Sequence, residues 1–310
     1  MTALWLLDLC LVAVILAVAL SAVAARDLFA ATVFFVAYGL LIALAWVRLD
    51  AVDVALAEAA IGAGLTGVLL LGVTARVHME ARTPGPGRGM RLAIGAGCAA
   101  VSVALAAAVL SLPVPAPSLV PAVEAAIPAT GLGNPVTAVL LAFRGYDTLL
   151  ETLVLLLALL GVWSLAPDRL WGGRPGLRHR ARPEGTLAWL GRLLPPIGLL
   201  VGVYVFWIGS DQPGGAFQAG TILAAVWLLA IMAGLSDAPP VRSLALRLVL
   251  VAGPVVFLGI GTAGLFVAGA FLGYPPAAAK TLIVTVEAAL TLSIAATLAL
   301  LVAGAPERAP

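Results

Sequence analysis

Apolar residues run through this chain in nine long blocks, at about 4–24, 28–47, 53–73, 92–112, 146–166, 190–208, 215–235, 244–271 and 281–303. Each is broken by a short polar or glycine- and proline-rich stretch. Crossing the hydrocarbon core of a bilayer takes about 20 mainly apolar residues in a helix. No water is there to satisfy backbone N–H and C=O groups, so each block must bond within itself, which predicts helices and not barrel strands. The pattern therefore predicts an all-α, polytopic integral membrane protein of about nine transmembrane helices. The first three are joined by Arg26 and Asp27 and by the 48–53 stretch, connections so short that these helices must pack as antiparallel neighbours. In the third, Gly62, Gly64 and Gly67 among alanines predict a thin surface that lets another backbone come close, and Gly269 and Gly273 predict the same for the eighth.

Composition agrees. Of 310 residues, 63% are hydrophobic and 10% charged, where soluble domains carry about 25% charged positions. Net charge is only +2, but its distribution is informative. Nine alternating spans place Arg26, the 74–91 and 167–189 linkers, the 236–243 loop and the C-terminal tail on one side; with Arg192 and Arg247 at the adjoining span ends, that side carries 14 of the 17 basic residues. Arg48, Arg144 and Lys280 fall on the other. The positive-inside rule makes the first side cytoplasmic, so the N-terminus is expected outside and the C-terminus inside, in the inner (plasma) membrane. The basic linkers then read as topology determinants and not as nucleic-acid patches. The N-terminal block ends SAVAA before Arg26 but has Asp8 where a signal peptide would carry positive charge, so a retained first helix is expected. Cys10 and Cys98 have no CxxC spacing and are expected to pack in the core. His78 and His179 stand alone in the linkers, and neither a metal site, a cofactor box nor a catalytic constellation is legible.

One stretch organises the C-terminal half: 206–220, reading FWIGSDQPGGAFQAG. Trp207 closes one apolar run; Asp211, Gln212 and Pro213 break the helix, because proline lacks a donor and clashes with the preceding turn. Gly214 and Gly215 permit backbone angles that a side chain forbids. An ordinary external turn has the same composition. A phosphate cradle would want a Lys after the glycines, and none follows. Asp211, Pro213, Gly214, Gly215, Phe217, Gln218 and Gly220 resemble the PGGGFQGG signature of the B subunit of Mrp-type multisubunit cation/proton antiporters, with Ala216 and Ala219 in place of two glycines. The run FFVAYGLLIALAWVRLDAVDVALAEAAIGAGLTG resembles a helical module at the C-terminal end of the large A subunit of those antiporters and in a small subunit of membrane-bound hydrogenases. NPVTAVLLAFRGYDTLLETLVLL resembles the FRGFDTLGE motif of the hydrogenase E module, with Leu150 where that pattern has glycine. The resemblance implies a fusion of three modules: 1–80 like the tail of the antiporter A subunit, 89–168 like the hydrogenase E module, and 186–310 like the antiporter B subunit. Within the middle one, an amphipathic entry segment from Asn134 followed by a span from about Tyr146 accounts for the excess length. Pro113, Pro115, Pro117 and Pro121 make the stretch before it an external loop or surface segment.

An acid on a membrane helix costs about 2.5–3.5 kcal/mol at the centre on insertion scales, so each is a functional candidate by default. Four qualify: Glu58, Asp147, Glu151 and Glu287. Asp8, Asp53 and Asp211 lie at helix ends and read as solvated. Arg144, Asp147 and Glu151 share a helix face, with Arg144 placed to pair with Asp147 and Glu151 deeper; an ion-paired knot at a helix bend and a proton relay both fit that pattern. Lys280, Glu287 and Thr291 form a polar stripe that must face protein or water. Glu58 is the leading candidate. No basic residue lies within a turn of it, so its partner must come from another helix or from water. The resemblance implies a membrane subunit of a monovalent cation (Na+)/proton antiporter that works with other membrane subunits, contributes carboxylates to ion translocation and needs no cofactor. A membrane-arm subunit of an energy-converting, complex-I-like hydrogenase and a purely structural adaptor are the alternatives.

Overall fold

A computed structural model describes residues 2–76, 87–115, 117–178 and 184–309. His78 and His179 lie outside these residues. The first unit is an antiparallel pair, α1 (Thr2–Ala24) and α2 (Leu28–Arg48), followed by a composite third span. Asp27 caps α2, its carboxylate accepting the Ala30 amide at 2.8 Å. The third span runs as α3 (Val52–Ala57), a π-helical stretch (Glu58–Leu65) and α4 (Thr66–Arg76). Wide turns of this kind are frequent at functional sites. Of its three glycines only Gly67 takes a neighbour directly, since a Cβ there would strike Val36 of α2. Gly64 faces outward, so the thin surface is narrower than the sequence suggests; Ala63 packs on Gly39 instead.

Helix α5 (Arg88–Leu110) buries no residue in this chain. The stretch after it contains α6 (Val120–Ala126), a 3-10 turn (Ile127–Thr130), α7 (Pro135–Ala138) and a second π-helical segment (Val139–Phe143), bent by 89° at its centre. Asn134 caps α7 by accepting the Val136 amide at 2.8 Å, with Pro135 in the first helical position. The chain then turns at Arg144 into α8 (Gly145–Trp163), matching the expected entry segment and span. The surrounding helices are α9 (Thr186–Ile208), α10 (Ala216–Met232), α11 (Leu244–Val267) and α12 (Ala279–Ala303). Among the described residues eight helices are long and apolar enough to cross a bilayer, nine if the bent 120–143 pair counts as one span. The 17-residue α10 is shorter, about 25 Å at 1.5 Å per residue.

Helix α12 is the axis of the C-terminal bundle. It packs against α8, α10 and α11, and Ile283, Val286, Leu290, Ile294 and Leu298 are buried along it. Small residues set these crossings: a Cβ on Gly253 of α11 would sit 2.9 Å from Ser293 Cβ, and one on Gly220 of α10 would sit 2.8 Å from Ile294 Cγ2. The expected GxxxG contact on the eighth span is not formed, because α11 ends at Val267 and Gly269 turns the chain with φ +76°. At one end of the bundle β1 (Arg174–Pro175) pairs antiparallel with β2 (Pro306–Arg308), and Arg308 grips Asp237 at 2.6 Å. At the other end lie Arg48, paired with Asp8 at 2.8 Å, and Lys280, paired with Asp211 at 2.7 Å. The basic linker and tail thus stand at the end opposite Arg48 and Lys280. Cys10 and Cys98 are both exposed, not core residues, because α1 and α5 each bury no part of their hydrophobic window in this chain.

Candidate functional site

The PGG stretch turns at an exposed tip, Asp211 to Pro213, and its glycine arms fold inward. Between α9 and α10, Gly209, Ser210, Gly214 and Gly215 are buried, with Gly214 at φ +154° and Gly215 at φ +127°. A Cβ on Gly209 would lie 2.5 Å from the Gly215 backbone, so the loop doubles back on itself through glycines. The consequence is positional: α10 begins level with Glu287, eight residues into α12 and hence about 12 Å along it. The Ala216 amide there faces the Glu287 carboxylate. A recessed helix N-terminus, carrying about half a positive charge, therefore faces an acid inside the bundle.

The same loop ties the three parts of the chain together. Asp53, at the start of α3, accepts the Gly214 amide at 2.9 Å and lies 3.4 Å from the Asn134 side-chain amide. Asn134 also donates to the Gly209 and Gln212 carbonyls, Thr137 donates to Gly209 O, and Gln218 donates to Asp53 O at 3.3 Å. Asp53 is 8% exposed. Its reading as a solvated helix end is corrected, because the PGG loop and the Asn134 turn cover it.

Beneath this junction is a cavity of about 290 Å³. Its polar lining comes from Asp53, Thr137, Thr148, Glu151, Gln218 and Glu287, brought in by α3, α7, α8, α10 and α12. Glu287 is 3% exposed, and its Oε2 has no hydrogen-bond partner among the described residues. Glu151 stands at the mouth, exposed on the outer face of α8. Six residues from the start of α8, it lies about 9 Å along the helix.

The other expected site residues lie elsewhere. Arg144 and Asp147 pair with one another in the open, short of the cavity. Lys280 does not continue the Glu287 stripe: it stands at the rim and binds Asp211, whose carboxyl is held below the usual range mainly by that bond and by the Ser210 hydroxyl. Thr291 spends its hydroxyl on the Glu287 carbonyl at 2.8 Å. Glu58 opens the π-helical stretch, half-buried, its carboxyl folded over Gly62 and without a hydrogen-bond partner among the described residues. Its neighbours Ala57 and Ile61 line the cavity, but Glu58 does not. Asp53, Asn134 and Thr137 were missed; the Asn-Pro pair before Thr137 was the available signal, marking a capped helix start.

Fold and site together define a multi-pass membrane protein with an acid-lined cavity inside its helix bundle. Family comparison narrows the class. The MbhD family model, described as the D subunit of MBH, matches residues 13–79, and a model described as a domain related to the MnhB subunit of Na+/H+ antiporter matches residues 186–305. The chain thus carries one module similar to each of these families. An uncharacterized protein of Methanocaldococcus jannaschii is 30% identical over 154 residues, covering 45% of this chain and 59% of that protein. Among solved structures, a chain of the Mrp complex from Dietzia sp. DQ12-45-1b superposes with a TM-score of 0.74 at 26% identity, over 97% of this chain and 35% of that one. A chain of an archaeal membrane-bound sulfane sulfur reductase superposes with a TM-score of 0.53 at 24% identity, over 68% of this chain and 98% of its own length, a likeness of fold. This chain thus spans about a third of the Mrp chain and 59% of the Methanocaldococcus jannaschii protein.

Proposed function

We propose that this chain is a membrane subunit of a multisubunit monovalent cation (Na+)/proton antiporter, contributing intramembrane carboxylates to ion translocation and helix surfaces to assembly. The observation that carries the reading is the cavity, whose acids Asp53, Glu151 and Glu287 come one each from proposed modules 1–80, 89–168 and 186–310. Burying acids is costly enough that buried Asp53 and Glu287, with Glu151 at the mouth of the same space, favour an ion path over a packing role. Lys280 at the rim and the Arg144–Asp147 pair, short of the cavity, contribute through the local field. Glu58, one helix face away from the wall, is a second relay position to be tested beside them. The MnhB-related domain and the likeness to the Mrp complex support this reading.

Other subunits complete the assembly. α1 and α5 bury none of their hydrophobic window in this chain, and Glu151 stands uncovered partway along a membrane helix. A carboxylate left against lipid is unfavourable, so a neighbouring protein of the complex covers that mouth. The complex sits in the plasma membrane with the N-terminus outside and the C-terminus cytoplasmic, as the charge bias directs. The role is transport and not catalysis.

The test is pH-gradient dissipation on cation addition in membrane vesicles, with assembled complex quantified in the same samples. Glu287→Gln and Glu151→Gln are expected to lose exchange while assembling. Full exchange in both would remove the cavity from the ion path. A membrane-arm subunit of a hydrogenase or related respiratory complex is the second reading, favoured by the MbhD match. Co-purification with a nickel-iron protein in place of antiporter subunits would select it.

A further inference from the structure

We infer that the cavity between α3, α8, α10 and α12 is a proton site, in which water links buried Glu287 to Glu151 at the lateral mouth, and that the metal cation is handled elsewhere. The inference rests on the cavity belonging to the ion path and names which ion it takes. Glu287 supplies the first argument. One carboxylate oxygen faces the Gly215–Ala216 backbone at the N-terminus of α10, while Oε2 is buried, unpartnered and on the cavity wall. A buried acceptor in this state lacks a donor, which a water or the acid's own proton provides. A bare cation there would stand close to the positive end of α10, which opposes it.

The walls supply the second argument. Val54, Ile61, Leu140, Phe217 and Leu290 make much of the lining apolar. The lining oxygens are spread over side chains of α3, α7, α8, α10 and α12. A cation stripped of its water in such a space would lose far more solvation than these scattered oxygens return. A neutral carboxylic acid tolerates the same surroundings. At 290 Å³ the space admits several waters, and the Thr137, Thr148 and Gln218 oxygens are polar contacts for them. Thr137 and Thr148 already donate their hydroxyls, to Gly209 O and Leu140 O, so their oxygens remain as acceptors. Each transfer breaks one O–H bond on an acid and makes one on water. The next carboxylate then takes a proton from water, so no other reactant is needed.

The groups around Glu287 are few. Asp53 and Glu151 share its cavity, and Tyr274 donates to the Leu141 carbonyl on the same wall. Lys280, on its own helix, is held by Asp211. α10 carries no titratable side chain, and the one basic group of α11, Arg247, is bonded to Val241 O.

The experiment uses the complete complex, purified and reconstituted, with exchange measured against both pH and Na+ concentration for wild type, Glu287→Gln, Glu287→Asp and Glu151→Gln. Glu287→Gln is expected to lose exchange by about tenfold or more, as for removal of a group that moves protons. Glu287→Asp, which keeps the acid and covers the case of a Gln complex that does not assemble, should shift the pH profile. Its half-saturating Na+ should stay within about twofold, because turnover and not cation binding is altered. A raised Na+ requirement with an unmoved pH profile would overturn the proton assignment while leaving the cavity in the ion path. Unchanged exchange in all three variants would overturn both readings.

Discussion

Replacing Asp53 by alanine tests whether the PGG loop is pinned from the N-terminal helices or holds its shape unaided. The carboxylate accepts one well-formed bond, from the Gly214 amide at 2.9 Å, and two long ones from Asn134 at 3.4 and 3.5 Å. Asn134 has better partners in the Gly209 and Gln212 carbonyls, so its share is small. The Gln218 bond goes to the Asp53 backbone and survives the change. What is lost is one charge-assisted bond to a buried amide, about 1.5–3 kcal/mol. Polar bonds between membrane helices reach only about 1.7 kcal/mol, which favours the lower end. An opening free energy reduced by about 1.5 kcal/mol speeds exchange through that opening about tenfold. Amide hydrogen–deuterium exchange of peptides covering 209–218, in the assembled complex, reads this directly. Asp53→Ala should exchange about tenfold faster there, with 174–178 and 305–308 unchanged at the far end, and Asp53→Asn should fall between, since its carbonyl still accepts. Unaltered protection of 209–218 in Asp53→Ala would refute the pinning argument and leave the loop's own glycine geometry as the source of its shape.

Gly220→Val should destabilise the bundle by about 1–3 kcal/mol through overpacking, because the new Cβ meets Ile294 Cγ2 at 2.8 Å; a thermal melt of the detergent-solubilised protein checks it. Lys280→Ala should cost no more than about 1 kcal/mol, as the Asp211 pair is solvent-exposed. Asp211's folded-state carboxyl lies below its unfolded value, so the pair's contribution is present above about pH 4 and lost as pH falls through the depressed value; melts across that range in wild type and variant should converge in acid. On a background lacking Cys10 and Cys98, Arg178→Cys should react from the cytoplasmic side and Gln212→Cys from outside; labelling of both from one side would contradict the topology. Glu58→Gln should abolish exchange with assembly intact if Glu58 relays protons, and retained exchange would confine the path to the cavity.

Local pattern determined the helices and their breaks. Block length alone distinguishes membrane spans from soluble helices, Asp27 and the Asn134-Pro135 pair announce helix starts, and Pro213-Gly214-Gly215 forces an interruption whatever surrounds it. The resemblance of these residues to known modules was likewise readable, because it is carried by short contiguous motifs. Which acids meet was not. Asp53 reads as an ordinary first-turn acid, favourable beside a helix N-terminus and open to water, and nothing near it in sequence says that Gly214 and Asn134 will cover it. Along its own helix Glu58 is the more isolated acid, and in the fold its carboxyl lies over Gly62, outside the cavity, while α3, α8 and α10 bring polar groups towards Glu287. Hydrophobic periodicity fixes which face of a helix is apolar; it does not fix the neighbour's depth. The recession of α10 by about two turns, set by a glycine loop folding into the bundle, decides that a helix N-terminus meets Glu287, and only long-range packing contains that information.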